Sequence, residues 1–200
     1  ALKENTTGIQ NTAVGAGALV NQTTANYSVA VGGGTLAAIT TGDQNIAIGY
    51  AALNDTGTAV SNNVAIGYFA MDGTTGSSNI AIGSNALGHG SNTASHNIAI
   101  GVSAGVSVTG ATQNVYLGNF CGDGATTGNN NVAIGYEAFS AAATGGNSVI
   151  IGTGAGALST GGEENVCVGF QAGNAGTTFS ECIVIGDRAD VSDAARKREI

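Results

Sequence analysis

A short repeat runs along almost the whole chain, and its length restricts the folds that the chain can adopt. The pentapeptide Asn-(Ile/Val)-Ala-Ile-Gly occurs in five strict copies, which begin at Asn45, Asn63, Asn79, Asn97 and Asn131. Six relaxed copies bring the number of repeat glycines to eleven, spaced 16 to 18 residues apart between Gly15 and Gly186. Helix pairs and propeller blades need roughly 34 and about 40 residues per repeat, so a unit of about 17 residues favours one coil of a β-solenoid.

The residues before each repeat glycine predict where the strand of each coil lies. The positions three and one before the glycine hold β-branched residues in every copy, with Leu117 as the one exception, and such residues favour strands. The sequence therefore predicts an all-β parallel β-solenoid, or β-roll, in which each coil of about 17 residues contains a strand, a corner, a second short strand and a further corner. With coils about 4.8 Å apart, eleven coils would form a rod of roughly 50 Å.

Each predicted strand is apolar on both faces, which indicates that one chain does not bury all of its apolar surface. In the copy Ile46-Ala47-Ile48, alternation places the two isoleucines on one face and the alanine on the other. Strands with two apolar faces are usually buried on both. We therefore expect an obligate oligomer, with the isoleucine face inside each coil and the small alanine face towards the oligomer axis.

The repeat resembles those of two groups of fibrous proteins. It is similar to the repeats of trimeric autotransporter adhesin heads, and more so to the Asn-Thr-Ala-(Val/Ile)-Gly repeats of phage and viral tail fibres, as at Asn11-Thr12-Ala13-Val14-Gly15. The resemblance covers about residues 5–190 and implies a left-handed parallel β-roll intertwined as a homotrimer in an extracellular fibre. Adhesin heads often carry Ser three places after the glycine, where this chain mostly has Ala. Their activity towards matrix ligands is therefore not carried over.

Composition and charge exclude several classes of partner. The chain has 34 Gly and no Pro, only 9% charged residues, and no Lys or Arg between Lys3 and Arg188. Nucleic-acid binding and attraction to anionic membranes both need clustered basic side chains, so neither partner is expected. No stretch is long and apolar enough to span a bilayer as a helix, so we expect no membrane insertion by this segment.

Two columns of the repeat are candidate sites. Asparagine recurs four places before the glycine, and stacked Asn side chains form hydrogen-bonded ladders, so this column is interpreted as structural: Asn45, Asn63, Asn79, Asn97, Asn114, Asn131 and Asn165. Aromatic residues follow the glycine at Tyr50, Tyr68, Tyr136 and Phe170. They are interpreted either as surface-binding residues that stack on sugars or as rings that stack between neighbouring coils.

Other potentially reactive residues have simpler structural interpretations. Gly101-Val102-Ser103-Ala104-Gly105 matches the G-x-S-x-G nucleophile motif, but that motif requires a strand, turn and helix, and Gly101 is a repeat glycine. His89 and His96 fall in one corner segment, and Asp43, Asp55, Asp72 and Asp123 also fall in corners. We therefore expect no catalytic residue, no cofactor and no metal site.

The three cysteines occupy different columns of the repeat. Cys167 and Cys182 lie in adjacent coils but are offset by two residues. We expect a Cα separation of roughly 8 Å from the strand rise and coil spacing, which is too long for a disulfide. The sequence therefore predicts free thiols that pack as small apolar groups.

The chain divides at its last repeat glycine. Residues 1–186 form the eleven repeats, and 187–200 are a charged transition into a further repeat or a next domain. The spacing predicts that Ile200 lies beside Ile183, one coil away, within a twelfth repeat.

The sequence predicts a structural or adhesive shaft segment of a trimeric extracellular or virion fibre that takes part in host or surface attachment. The partners would be two further copies of the chain and a surface glycan or protein. Two alternatives stay open. One is a subunit of a homopolymeric extracellular filament, and the other is a polysaccharide-degrading tail spike.

Overall fold

The structure is a computed structural model that describes residues 1–54, 57, 59–88, 92–141, 144–174 and 178–191. Over these residues the chain is a parallel β-solenoid in which each coil supplies one strand to a single eleven-stranded sheet. The strands follow chain order and are β1 (Thr12–Val14), β2 (Val29–Val31), β3 (Ile46–Ile48), β4 (Val64–Ile66), β5 (Ile80–Ile82), β6 (Ile98–Ile100), β7 (Val115–Leu117), β8 (Val132–Ile134), β9 (Val149–Ile151), β10 (Val166–Val168) and β11 (Ile183–Ile185).

The repeat sets the register of the sheet without any slip. Ile46 of β3 pairs with Val64 of β4, and Ala47 pairs with Ala65. Every other neighbouring pair aligns the same columns of the repeat. The predicted all-β parallel solenoid with coils of about 17 residues is confirmed.

The second strand predicted for each coil does not form in the described residues. An isolated bridge between Thr74 and Asn92 is found there instead. Four positions adopt positive φ in most coils, namely five before the repeat glycine, the glycine itself, and two and four after it; in one coil these are Gln44, Gly49, Ala51 and Leu53. From the glycine onwards, positive φ at every second residue turns the chain repeatedly, so residues 49–53 form a corner and no strand.

The repeat glycine is required by its conformation and by its neighbour. These glycines have φ between 128° and 140°, a region that residues with a Cβ rarely adopt. A Cβ on Gly49 would also lie 2.4 Å from the carbonyl oxygen of Gly67 in the next coil, and one on Gly101 would lie 2.3 Å from that of Gly118. The glycine column therefore permits the coils to stack at the hydrogen-bonding distance.

The interior of each coil is the alanine face of the strand, which reverses our sequence-based assignment. Ala47 is fully buried, whereas Ile46 and Ile48 are 38% and 39% exposed. The reason is the residue four places after the repeat glycine, such as Leu53, which is fully buried. That side chain fills the narrow interior, so the strand has room for only a methyl group, and its β-branched residues face outwards.

The side chains of two interior columns vary in size in opposite directions in some coils. In two coils the strand carries a large residue in place of alanine and the position four after the glycine is itself glycine, namely Tyr116 with Gly122 and Ile150 with Gly156. A Cβ on Gly122 would lie 2.3 Å from the Tyr116 ring. Most coils therefore hold a large interior side chain from one wall or the other. In the coil of Ala99 and Gly105 both positions are small, and a Cβ on Gly105 would lie 3.0 Å from Leu87 and Tyr116 of the neighbouring coils.

The start of the charged segment continues the solenoid. Arg188 N–H donates to the Phe170 carbonyl at 2.7 Å, and Gly173 N–H donates to that of Ala189 at 2.8 Å. Residues 192–200, including Ile200, lie outside the described residues, so the predicted position of Ile200 beside Ile183 stays a prediction.

Replacement of a repeat glycine should destabilise the protein far more than replacement of a glycine elsewhere in the coil. We expect Gly49→Ala to lower the free energy of unfolding by about 3 kcal/mol or more, from backbone strain and the clash with Gly67. Gly34→Ala is the matched control, because a Cβ there meets no atom within 4 Å and Ala51 already occupies the same column. Urea unfolding measures both variants, and equal losses would contradict the argument.

Volume exchange in the interior should appear as energetic coupling. Tyr116→Ala removes the large side chain and should cost about 3–5 kcal/mol, as other aromatic truncations do. Gly122→Leu alone should clash with the Tyr116 ring. The double variant recreates the Ala47 and Leu53 arrangement. Its loss of free energy of unfolding should therefore be smaller than the sum of the two single losses by about 1 kcal/mol or more, as for other residues in contact. Strict additivity in a double-mutant cycle would show that the two walls do not share the space.

Candidate assembly surface

The outward side chains of the eleven strands form one continuous apolar surface. We call this surface the outer stripe; it consists of the residues three and one before each repeat glycine. Thr12 is its only polar member, and charged side chains are absent from its eleven strands. Exposure rises to 58% at Val14 and 66% at Ile185.

The outer stripe is long, narrow and regular. Ten strand spacings of about 4.8 Å give a length of about 48 Å, with roughly 7 Å between its two columns. Single apolar residues on a surface are normal, whereas contiguous patches of this length mark contacts with another molecule. β-Branched side chains have few χ1 rotamers, so the surface is also stiff.

A buried asparagine ladder runs behind the outer stripe. Asn114 N–H donates to Asn97 Oδ1 at 2.9 Å, and Asn131 N–H donates to Asn114 Oδ1 at 2.8 Å. Where the column holds Ser148, its Oγ replaces the amide oxygen and accepts from Asn165 N–H at 3.1 Å. The link recurs between every pair of neighbouring coils from Asn11 to Cys182, through Ser28, Asn45, Asn63, Asn79, Asn97, Asn114, Asn131, Ser148 and Asn165.

Each asparagine also holds the corner of the next coil. Asn97 Nδ2 donates to the Ala111 carbonyl at 2.9 Å, and Asn165 Nδ2 donates to the Phe179 carbonyl at 2.7 Å. These are buried backbone groups that would otherwise lack partners in the corner. The ladder therefore keeps the strands, and with them the outer stripe, at a constant spacing.

The predicted aromatic column lies beside the outer stripe and is exposed. Tyr50 and Tyr68 stack with ring centroids 5.8 Å apart, and Phe69 packs edge-on against both. Tyr136 instead packs edge-on against Phe120, and Phe170 lies under the Arg188 guanidinium, 5.0 Å away. Of the four aromatic residues in this column, Tyr50 and Tyr68 therefore stack on each other between neighbouring coils, and Tyr136 and Phe170 make other contacts.

Two groups in this part of the solenoid have raised pKa values, for different reasons. A side-chain hydrogen bond with Glu137 raises the pKa of the Tyr136 phenol, and the charge of Glu137 adds to the shift. Burial raises the pKa of the Asp123 carboxyl despite hydrogen bonds from the backbone.

The reactive side chains of the described residues do not converge. No group of three or more His, Cys, Asp or Glu that could hold a metal occurs in the described part of the chain. His96 is exposed in its corner, while His89 and Asp55 lie outside the described residues. The Gly101–Gly105 motif forms a strand end and a turn, rather than the strand, turn and helix of a nucleophile elbow.

The three cysteines are free, buried thiols, as the sequence predicts. Cys167 pairs with Val184 in the sheet, which leaves Cys182 two residues out of register. Burial raises the pKa of both Cys121 and Cys167 to about 12. These thiols therefore stay protonated and unreactive at neutral pH.

Sequence reasoning missed a column of exposed side chains on the other border of the outer stripe. These residues stand five places before the repeat glycine and adopt φ near 60°. Six of the eleven are Asn or Gln, and Asn tolerates this conformation better than most residues. The frequent Asn and Gln at this position were the signal that could have indicated a turn whose side chain is directed to solvent.

Comparison with family models, curated proteins and solved structures finds no match for this chain. Within the described residues, no helix has the length and apolar character needed to cross a membrane.

Replacement of one ladder asparagine by alanine should lower the free energy of unfolding, and replacement by serine should lower it less. Asn97→Ala leaves the buried Asn114 N–H and Ala111 carbonyl without their partners, so we expect a loss of about 2–4 kcal/mol. Asn97→Ser keeps an acceptor for Asn114 N–H, as Ser148 does, and should lose roughly half as much. Chemical denaturation compares the two variants, and equal losses would argue against the accepting role.

Proposed function

We propose that this chain is a structural shaft segment of a trimeric extracellular or virion fibre that serves attachment to a host or another surface. The observation that carries the proposal is the outer stripe, a stiff apolar surface about 48 Å long on the outside of the coil. Sequence reasoning expected the alanine face at the oligomer axis. The exposure of the β-branched residues now favours the outer stripe in that place.

A further copy of the same chain is the partner that fits the outer stripe best. The stripe repeats at the coil spacing over eleven levels, and a parallel solenoid repeats at the same spacing. Burial of its side chains between copies would stabilise the assembly by about 25 cal/mol for each Å² of apolar surface removed from water. The same contact would give every coil of the shaft equivalent support.

Three copies suit the two columns of the outer stripe. Around a three-fold axis each copy has two neighbours, so the column three before the glycine faces one neighbour and the column one before it faces the other. Cyclic arrangements of this kind close without leaving a free apolar surface.

The surface charge favours neutral partners for attachment. No Lys or Arg lies between Lys3 and Arg188, and the formal net charge is −8. A polyanionic ligand would meet repulsion along the shaft, whereas neutral glycans and proteins would not. The filament and the polysaccharide-degrading spike stay as alternatives.

Analytical ultracentrifugation tests the trimer. We expect one species at three times the chain mass of 19.3 kDa at micromolar concentration. Ile82→Asp, in the middle of the outer stripe, should dissociate the trimer because it would bury three carboxylates around the axis. Leu158→Asp is the matched control, since Leu158 is 53% exposed away from the stripe, and should leave the mass unchanged.

Other sedimentation results would contradict the trimer. A stable, folded wild-type monomer would overturn the proposed assembly, and a mass that grows with concentration would favour the filament. Turnover of capsule polysaccharide by the purified trimer would favour the tail spike over a passive shaft.

A further inference from the structure

Two columns border the outer stripe along its whole length and are exposed at most levels. The leading column stands five residues before each repeat glycine and includes Tyr27 and Gln44; the trailing column stands one residue after it and includes Gly33 and Tyr50. Tyr27 is 51% exposed and Tyr50 is 58% exposed. Both columns lie on the outward side, because alternate residues between them, such as Asn45 and Ala47, are buried.

We propose that the trailing column of each copy packs against the leading column of the next copy at the same coil level. This inference rests on the proposed trimer. Around a three-fold axis all strands run in the same sense, so one copy's strand ends where the next copy's strand begins. The aromatic column is then a contact between protomers rather than a surface for sugars.

The side chains at matching levels are chemically complementary. Tyr50 shares its level with Gln44, Tyr68 with Asn62, and Tyr136 with Asn130. Carboxamides donate and accept hydrogen bonds, as phenol groups do. All of these side chains are exposed in the single chain, so the contact does not require the fold to open.

One level reverses the arrangement. Its leading residue is Tyr27 and its trailing residue is Gly33. A Cβ on Gly33 would lie 3.4 Å from the Tyr50 ring, so the missing side chain leaves a space directly beside that ring. Tyr27 of the adjoining copy fits this space, in contact with the exposed Tyr50.

The last described coil places like charges together and also supplies a counter-charge. Its leading and trailing residues are Glu181 and Asp187. Arg188 lies at the same corner, with its guanidinium 3.8 Å from the Asp187 carboxylate. That cation offsets the repulsion that the pairing would otherwise create.

Disulfide trapping in the full chain tests the pairing. The double variant Gln44→Cys with Tyr50→Cys places both thiols on exposed positions. Within one chain their Cα atoms lie well over 10 Å apart across the strand, beyond the limit of about 7 Å for a disulfide. Oxidised glutathione should therefore convert most of the protein into a covalent trimer on non-reducing gels. Wild type should give none, because its three cysteines are buried.

A shifted pair and a steric variant sharpen the test. In the variant Gln44→Cys with Tyr68→Cys, the two thiols lie one coil apart along the fibre. It should give at least fivefold less covalent trimer than the matched pair. Gly33→Leu fills the space for Tyr27 and should raise the trimer dissociation constant tenfold or more, with the circular dichroism of the fold retained.

The outcomes separate this inference from the proposed function. A trimer by sedimentation that gives no cross-link at the matched pair would overturn the column pairing and leave the trimer in place. A covalent dimer as the end product would overturn the three-fold arrangement. A folded wild-type monomer would overturn the proposed assembly itself.

Discussion

The approach of one coil to the next at the repeat glycine is the constraint on which the rest of the structure depends. A side chain on Gly83 would lie 2.3 Å from the carbonyl oxygen of Gly101, so a residue with a Cβ would force these coils apart. With glycine in place, Gly101 N–H reaches the Ile82 carbonyl at 2.8 Å. The same spacing lets each ladder asparagine reach the next coil. The regular spacing of the strands in the outer stripe follows from this repeated contact.

The narrow interior explains why the coil tolerates unusual backbone conformations. Leu19, Leu36 and Leu53 adopt φ near 50°, which costs roughly 1–2 kcal/mol for a residue with a side chain. Each of these leucines is fully buried, and burial of such a side chain contributes about 1.5–3 kcal/mol. The two magnitudes are similar, so the corner forms at little net cost. It directs the large side chain inwards and leaves the strand to present its β-branched residues to the outside.

The sequence alone predicts the periodic features well, because each depends on a residue type that recurs in one column. The coil length follows from the glycine spacing, the strands from Ile46 and its equivalents, and the ladder from Asn97 and its equivalents. The face of the strand was assigned wrongly because Ile46 and Ala47 are both apolar, and hydrophobicity does not decide which is inside. The signal that could have decided it is covariation of volume. Tyr116 replaces alanine in the coil where Gly122 replaces leucine, so these two positions share one interior.

A uniform apolar stripe cannot by itself fix how copies align along the fibre. A slip of one coil, about 4.8 Å, would place isoleucine against isoleucine as before. The bordering columns differ from level to level, and they supply what the stripe lacks. In the proposed pairing, a slip would move Tyr27 from the space at Gly33 to the level of Tyr50, where a ring already stands. A repetitive core therefore provides the strength of the assembly, and irregular residues at its border provide the register.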